Sequence, residues 1–356
     1  MTSSNRPETR LSTRLAFFAA GFALACWAPL VPYAKANVGA DDGMLGLMLL
    51  CLGVGSIVAM PLTGGLSART GSKPMILVGG FGLVLFLPVL VLVDSPALLA
   101  LALLLFGASL GTIDVAMNVH AVEVERDSDR PLMSGFHGMF SVGGFAGAGG
   151  ITLALSAGLS PVESAMGGGA LTFAALLLAW PRLLRAQGGE PTPFVAPRGI
   201  VLLLSLLAGV TFLIEGAILD WSALLIVEKD MVQPAQGGLG YMLFAIAMTI
   251  GRLTGDRIVA AAGNYRVLFL GGLVTIAGIV LLLVSPWASL GLAGFVLIGL
   301  GASNIVPVLF SLTGRQTVMP PALAVAAVTT TGYAGILAGP AAIGFASHLN
   351  SLPTAF

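Results

Sequence analysis

What most constrains this chain is a succession of apolar runs, each close to 20 residues, that fills almost its whole length. They lie near residues 15–34, 44–66, 74–93, 97–121, 133–157, 163–180, 199–219, 236–259, 266–285, 288–312 and 321–346. A helix needs about 20 mainly apolar residues to cross the hydrocarbon core of a bilayer. In lipid every backbone N–H and C=O must be satisfied within the segment, which a helix does by itself. The runs lack the ten-residue alternation of polar and apolar positions that barrel strands carry. Eleven transmembrane helices are therefore expected, in an all-α membrane protein. Charge supports this: only 9% of the 356 residues are charged, against roughly 25% in soluble chains.

The 16 basic and 16 acidic residues cancel, so nothing points to a nucleic-acid partner. Cys26 and Cys51 both fall in apolar runs, and no disulfide framework or zinc spacing can be built from them. No cofactor is expected. Arg6, Arg10 and Arg14 precede the first run and imitate a secretory leader. That run is as long as a span and another follows it, so it reads as an uncleaved first helix.

The basic residues set the orientation. With the N-terminus inside, the inner segments hold Arg6, Arg10, Arg14, Arg69, Lys73, Arg126, Arg130, Arg182, Arg185, Arg198, Arg252, Arg257, Arg266 and Arg315. The outer segments hold Lys35 and Lys229. Such a bias predicts a cytoplasmic N-terminus in a multi-pass inner-membrane protein.

The two halves also resemble each other. Trp27 and Trp221 are 194 residues apart, as are Gly46 and Gly240. Gly71 and Gly263, Gly79 and Gly271, Gly143 and Gly335, and Gly147 and Gly339 are each 192 apart. A nearly constant offset predicts two parallel repeats of about six helices. The expected organisation is a bundle over 1–185, a cytoplasmic linker over 186–198 and a second bundle over 199–356. A six-plus-six plan calls for a twelfth helix, yet the eleventh run ends shortly before Phe356. Truncation and a genuinely absent helix are both open, and with eleven spans the C-terminus is expected outside.

Several stretches then resemble the major facilitator superfamily, over essentially the whole chain. GGLSARTGSKP (Gly64 to Pro74) is similar to its cytoplasmic loop motif at Gly64, Arg69, Gly71 and Lys73, which the resemblance implies as gating residues. Ala68 stands at the motif's acidic position and Ser72 at its second arginine. GDRIVAAAGNYR (Gly255 to Arg266) is a weaker second copy. Within the superfamily, DVAMN (Asp114 to Asn118), SNIVPVLFSL (Ser303 to Leu312) and FFAAGFALACWAPLVP (Phe17 to Pro32) resemble the L-fucose:proton symporter group. That implies the major facilitator fold and proton-coupled import of a sugar or similar small polar solute. The acid that group carries in span one is absent, with Trp27 and Ala28 near its place.

Polar residues inside spans sharpen the expectation, because a mid-bilayer charge costs at least about 2.5–3.5 kcal/mol. Asp114 lies about seven residues, roughly 10 Å, from the inner end of span four. Asn118 follows at i+4 on the same face. Asp114 is a candidate for the coupling proton and Asn118 for substrate hydroxyls, against a purely structural hydrogen bond. Glu215, at least a turn inside the outer end of span seven, is the second proton-coupling candidate, against an interhelical hydrogen bond; Asp220 reads as solvated. Trp27 and Trp221 are sugar platforms or members of an interfacial belt. His137 has a substrate or proton role or is a structural donor. Ser303 and Asn304 precede Pro307, which frees a backbone carbonyl and favours a cavity-lining helix. Arg252 and Arg257 are expected to snorkel or to pair with Asp256. Gly143-x-x-x-Gly147 and Gly335-x-x-x-Gly339 permit close helix approach, either static packing or sliding between halves.

The expected partners are a small solute, protons and lipid, with the protein a monomer. An efflux antiporter is the main alternative; a receptor-like or non-functional truncated protein is the non-transport one. Neither H-E-x-x-H nor G-x-S-x-G occurs, so an enzyme is not expected.

Overall fold

The computed structural model describes residues 6–40, 42–184, 196–233, 239–349 and 351–356. Among these every regular element is helical. The helices are α1 (Pro7–Trp27), α2 (Val31–Val38), α3 (Asp42–Thr70), α4 (Ser72–Leu92), α5 (Pro96–Arg126), α6 (Met133–Ser156), α7 (Pro161–Ala179), α8 (Ile200–Glu228), α9 (Leu239–Ala262), α10 (Asn264–Val284), α11 (Ala288–Ala302), α12 (Ile305–Arg315), α13 (Pro321–Leu349) and α14 (Leu352–Ala355).

Ten described stretches are long and apolar enough to cross a bilayer; α1 with α2 forms one, and α11 with α12 another. The run expected over 236–259 is the helix α9, but Arg252, Asp256 and Arg257 lower its hydropathy and it does not stand among the ten. Leu47, Leu153, Phe269 and Val284 expose most of their surface. Water would penalise that exposure by about 25 cal/mol per Å², whereas acyl chains remove the penalty. Helix starts follow ordinary capping chemistry. Ser95 accepts from Leu98 N–H at the start of α5, and Ser160 and Glu163 form a reciprocal capping box on α7.

The chain divides into two compact units. Unit 1 comprises Met1–Asp129, Met139–Arg198 and Gly314–Thr330; unit 2 comprises Arg130–Gly138, Gly199–Thr313 and Thr331–Phe356. Both α6 and α13 thus contribute residues to each unit. The linker expected over 186–198 lies, from 186 to 195, outside the described residues.

In unit 1, α3 and α4 pack on α5, and α7 packs on α1 and α4. In unit 2, α9 and α10 pack on α11. Advancing α3, α4 and α5 by the sequence offset gives α9, α10 and α11, so one helix triplet is built twice, as two parallel repeats require. The repeat extends to single backbone angles. Gly71 before α4 has φ 83° and ψ 167°, and Gly263 before α10 has φ 81° and ψ 156°. That region is essentially closed to residues with a Cβ.

The two glycine pairs have equivalent neighbours. A Cβ at Gly143 or Gly147 would run into the α1 backbone at Phe18 or Phe22; one at Gly335 or Gly339 would run into α8 at Gly209 or Leu213. Each pair therefore packs inside its own unit, which is the static reading. The place that α7 takes on α1 and α4 corresponds in unit 2 to the faces of α8 and α10. There Ile214, Ile218 and Ile279 line an apolar cavity of about 270 Å³ bordered by Ala355 and Phe356.

Candidate functional site

Each unit holds a buried polar group made from the residues that stand out in the sequence. In unit 1, α5 presents Asp114 and Asn118 one turn apart, both buried. The Asn118 amide donates to the Asp114 backbone carbonyl at 2.9 Å and to its carboxylate Oδ1 at 3.2 Å. The i+4 spacing thus brings the pair together. Asn118 is a partner of the Asp114 carboxylate, which receives a donor where hydrocarbon would offer none.

In unit 2 the helix of span ten breaks at Ser303 and Asn304, between α11 and α12. Pro307 has no N–H, so the Ser303 carbonyl four residues earlier loses its helical donor. The Arg252 Nε of α9 replaces it, donating to Ser303 O at 3.4 Å. Asn304 Nδ2 donates to the Gly251 carbonyl and to Ser303 Oγ, both at 3.0 Å, and Ser303 Oγ donates to Leu300 O at 2.7 Å. Arg252 also forms an ion pair with Glu215 of α8 at 3.5 Å. Its side chain is only 10% exposed. Arg252 therefore does not snorkel: the freed carbonyl and the carboxylate hold it inside. Asp256 accepts from the Gly135 N–H at 3.1 Å, a carboxylate on the first turn of α6.

The remaining candidates are spread out. His137 of α6 stacks on Phe310 with ring centroids 5.6 Å apart. Trp27 is buried at the end of α1, and Trp221 packs against Gly344 of α13 and the core around Ile218 and Phe295. In the loop motif Gly64 lies against Ala322 and Ala326, Arg69 is exposed, and Lys73 Nζ donates to the Leu183 carbonyl at 3.5 Å.

Across residues 14–340 the sequence matches the Major Facilitator Superfamily. The chain belongs to that superfamily. An uncharacterised transporter of this type from Yersinia pestis is 54% identical over 350 residues, spanning 98% of this chain and 91% of the relative. Among solved structures, the fucose:proton symporter of E. coli is similar with TM-score 0.78 at 17% identity, covering 99% of this chain and 95% of that one. A human organic anion transporter is similar with TM-score 0.79 at 16% identity, covering 98% and 96%. At those identities the likeness shows the shared fold. The protein is a multi-pass membrane transporter of the facilitator class and not an enzyme.

Two facilitator residues here carry more structure than the sequence signals. Arg252 read as an inner-end charge, although Pro307 already marked Ser303 as a carbonyl in need of a donor. His120 showed no motif at all, yet it is wholly buried. Its Nε2 accepts the Leu184 N–H at 3.0 Å and its Nδ1 lies 3.2 Å from Thr13 Oγ1.

Proposed function

We propose that this facilitator imports a sugar or similar small polar solute together with a proton, by alternating access, across the inner membrane with its N-terminus in the cytoplasm. The observation that carries the reading is a buried carboxylate, Asp114, in an apolar membrane helix with the Asn118 amide on its oxygen. In hydrocarbon such a group demands a donor, a counter-charge or a proton. Glu215 is the second candidate for the coupling carboxylate. Asn118, Ser303, Asn304, His137, Trp27 and Trp221 are the substrate-side candidates, and Gly64, Arg69, Gly71 and Lys73 form the gating loop. The 1–185 and 199–356 bundles are the moving halves, joined by the 186–198 linker, and the monomer is the working unit. Support comes from the three stretches similar to the fucose:proton symporter group and from the fold shared with the E. coli symporter.

The test is transport in proteoliposomes under an imposed pH gradient, with a panel of radiolabelled sugars and polyols. Accumulation against the solute gradient, driven by an acidic exterior, is expected. Asp114→Asn is expected to abolish uphill uptake and to leave counterflow exchange intact. Unchanged uphill uptake in that variant removes Asp114 from the coupling step. Flux in the opposite direction assigns the protein to efflux.

A further inference from the structure

Two nitrogens of the buried Arg252 guanidinium meet different groups. Its Nε is fixed on the Ser303 carbonyl that Pro307 leaves without a helical donor. Its terminal nitrogen lies 3.5 Å from Glu215 Oε1, and that oxygen is buried without a hydrogen bond. Charge-assisted N–H···O⁻ bonds close to about 2.7–2.9 Å, and arginine prefers to grip a carboxylate with two parallel donors. The pair therefore supplies counter-charge without the fork geometry arginine favours. Both side chains also keep some exposure, 10% for Arg252 and 16% for Glu215.

We propose that Arg252 binds a carboxylate of the transported solute, and that Glu215 neutralises Arg252 in the empty site and carries the coupled proton in the loaded one. This rests on the transport reading above, takes Glu215 of its two candidate carboxylates as the one that carries the proton, and narrows its solute to a small hydroxylated carboxylic acid, such as a sugar acid. The charges balance in both states. Empty, Arg252 is offset by ionised Glu215; loaded, the incoming carboxylate offsets Arg252 while one Glu215 oxygen holds a proton. That proton comes from water on the side where the solute enters and returns to water on the other side. One proton and one monoanion then cross together, and the cycle moves no net charge. Other titratable groups within reach are Tyr241 of α9, near both members of the pair, Asp220 further along α8, and His137 of α6, near Arg252. On α13, Tyr333 meets α8 edge-on at Phe212.

The experiment uses the purified full-length protein and matched neutral and acidic probes: galactose with galacturonate, glucose with glucuronate, and propanediol with lactate. Thermal unfolding is followed with each probe, and uptake of every probe into proteoliposomes is then measured. At least one acid is expected to raise the unfolding temperature while its neutral partner does not, with the shift lost in Arg252→Gln. Uptake of that acid is expected to follow the pH gradient, with about tenfold accumulation per pH unit, and to ignore an imposed potassium-diffusion potential. If Arg252→Gln does not fold, Glu215→Gln carries the test. It is expected to keep acid binding and to lose its dependence on pH. Binding by no acid in the panel, binding by a neutral partner that survives Arg252→Gln, or accumulation driven by potential alone overturns the proposal. A neutral sugar accumulated with a proton refutes only the solute assignment. Absence of accumulation for every probe refutes the transport reading itself.

Discussion

His120 engages both ring nitrogens inside unit 1, and this fixes where its proton sits. Nε2 faces a backbone N–H, that of Leu184, and so must supply the lone pair. The proton is then on Nδ1 and is donated to Thr13 Oγ1, whose own hydroxyl donates to the Thr9 carbonyl at 2.9 Å. The chain ties α1, α5 and the segment after α7 together. Lys73 meets the Leu183 carbonyl, so two side chains hold the two polar groups of the Leu183–Leu184 peptide where the chain leaves α7. His120→Ala removes both bonds and leaves the half-buried Leu184 N–H without its acceptor, which costs at most the roughly 1–3 kcal/mol of a fully buried group. His120→Gln, whose amide offers both donors and an acceptor, is expected to lose less. Apparent unfolding temperatures of the two variants in one detergent check this. Equal temperatures for His120→Ala and the parent would show that the network adds nothing.

At the scale of helices the glycine pairs say which faces touch. Gly143 is buried against α1, where a Cβ would meet the Phe18 carbonyl, whereas a Cβ at its neighbour Gly144 would meet nothing within 4 Å. Gly143→Ala must push α1 and α6 apart, an overpacking cost of about 1–3 kcal/mol. Gly144→Ala is expected to be neutral or slightly stabilising, since alanine is the better helix former. Unfolding of the two variants side by side separates a packing requirement from a general aversion to side chains in this helix. The spacing of the glycines and their recurrence 192 residues on were legible in the sequence. Their partners were not, because α1 and α8 are distant in sequence and a G-x-x-x-G face fits any helix that comes close. The same limit explains the site. Asp114 and Asn118 share one helix, so their contact followed from the helical period alone. The Glu215–Arg252 pair joins two helices, and charge patterning along either one could not show that Arg252 turns inward.

For the whole molecule the deciding element is α9. The eleven expected spans and the ten apolar stretches found among the described residues differ by this one element, which carries Arg252, Asp256 and Arg257 in its second half. Its interior partners settle what those charges cost. Arg252 is compensated by Glu215 and the Ser303 carbonyl, and Asp256 by the Gly135 N–H, so hydropathy counted along the helix overstates the penalty of inserting it. With 24 residues α9 is also long enough, at about 1.5 Å per residue, to cross a hydrocarbon core of roughly 30 Å. The expected outcome is therefore that α9 spans, which puts Lys229 and Arg266 on opposite sides. In a background where Cys26 and Cys51 are replaced by alanine, Lys229→Cys is expected to react with a membrane-impermeant maleimide in intact cells. Arg266→Cys and Arg69→Cys are expected to react only after the membrane is opened. Labelling of both Lys229→Cys and Arg266→Cys from outside would mean that α9 turns back, and every basic residue after it would change sides. The inner excess of arginine in the second half would then disappear, so the experiment tests the span count and the orientation with the same pair of positions.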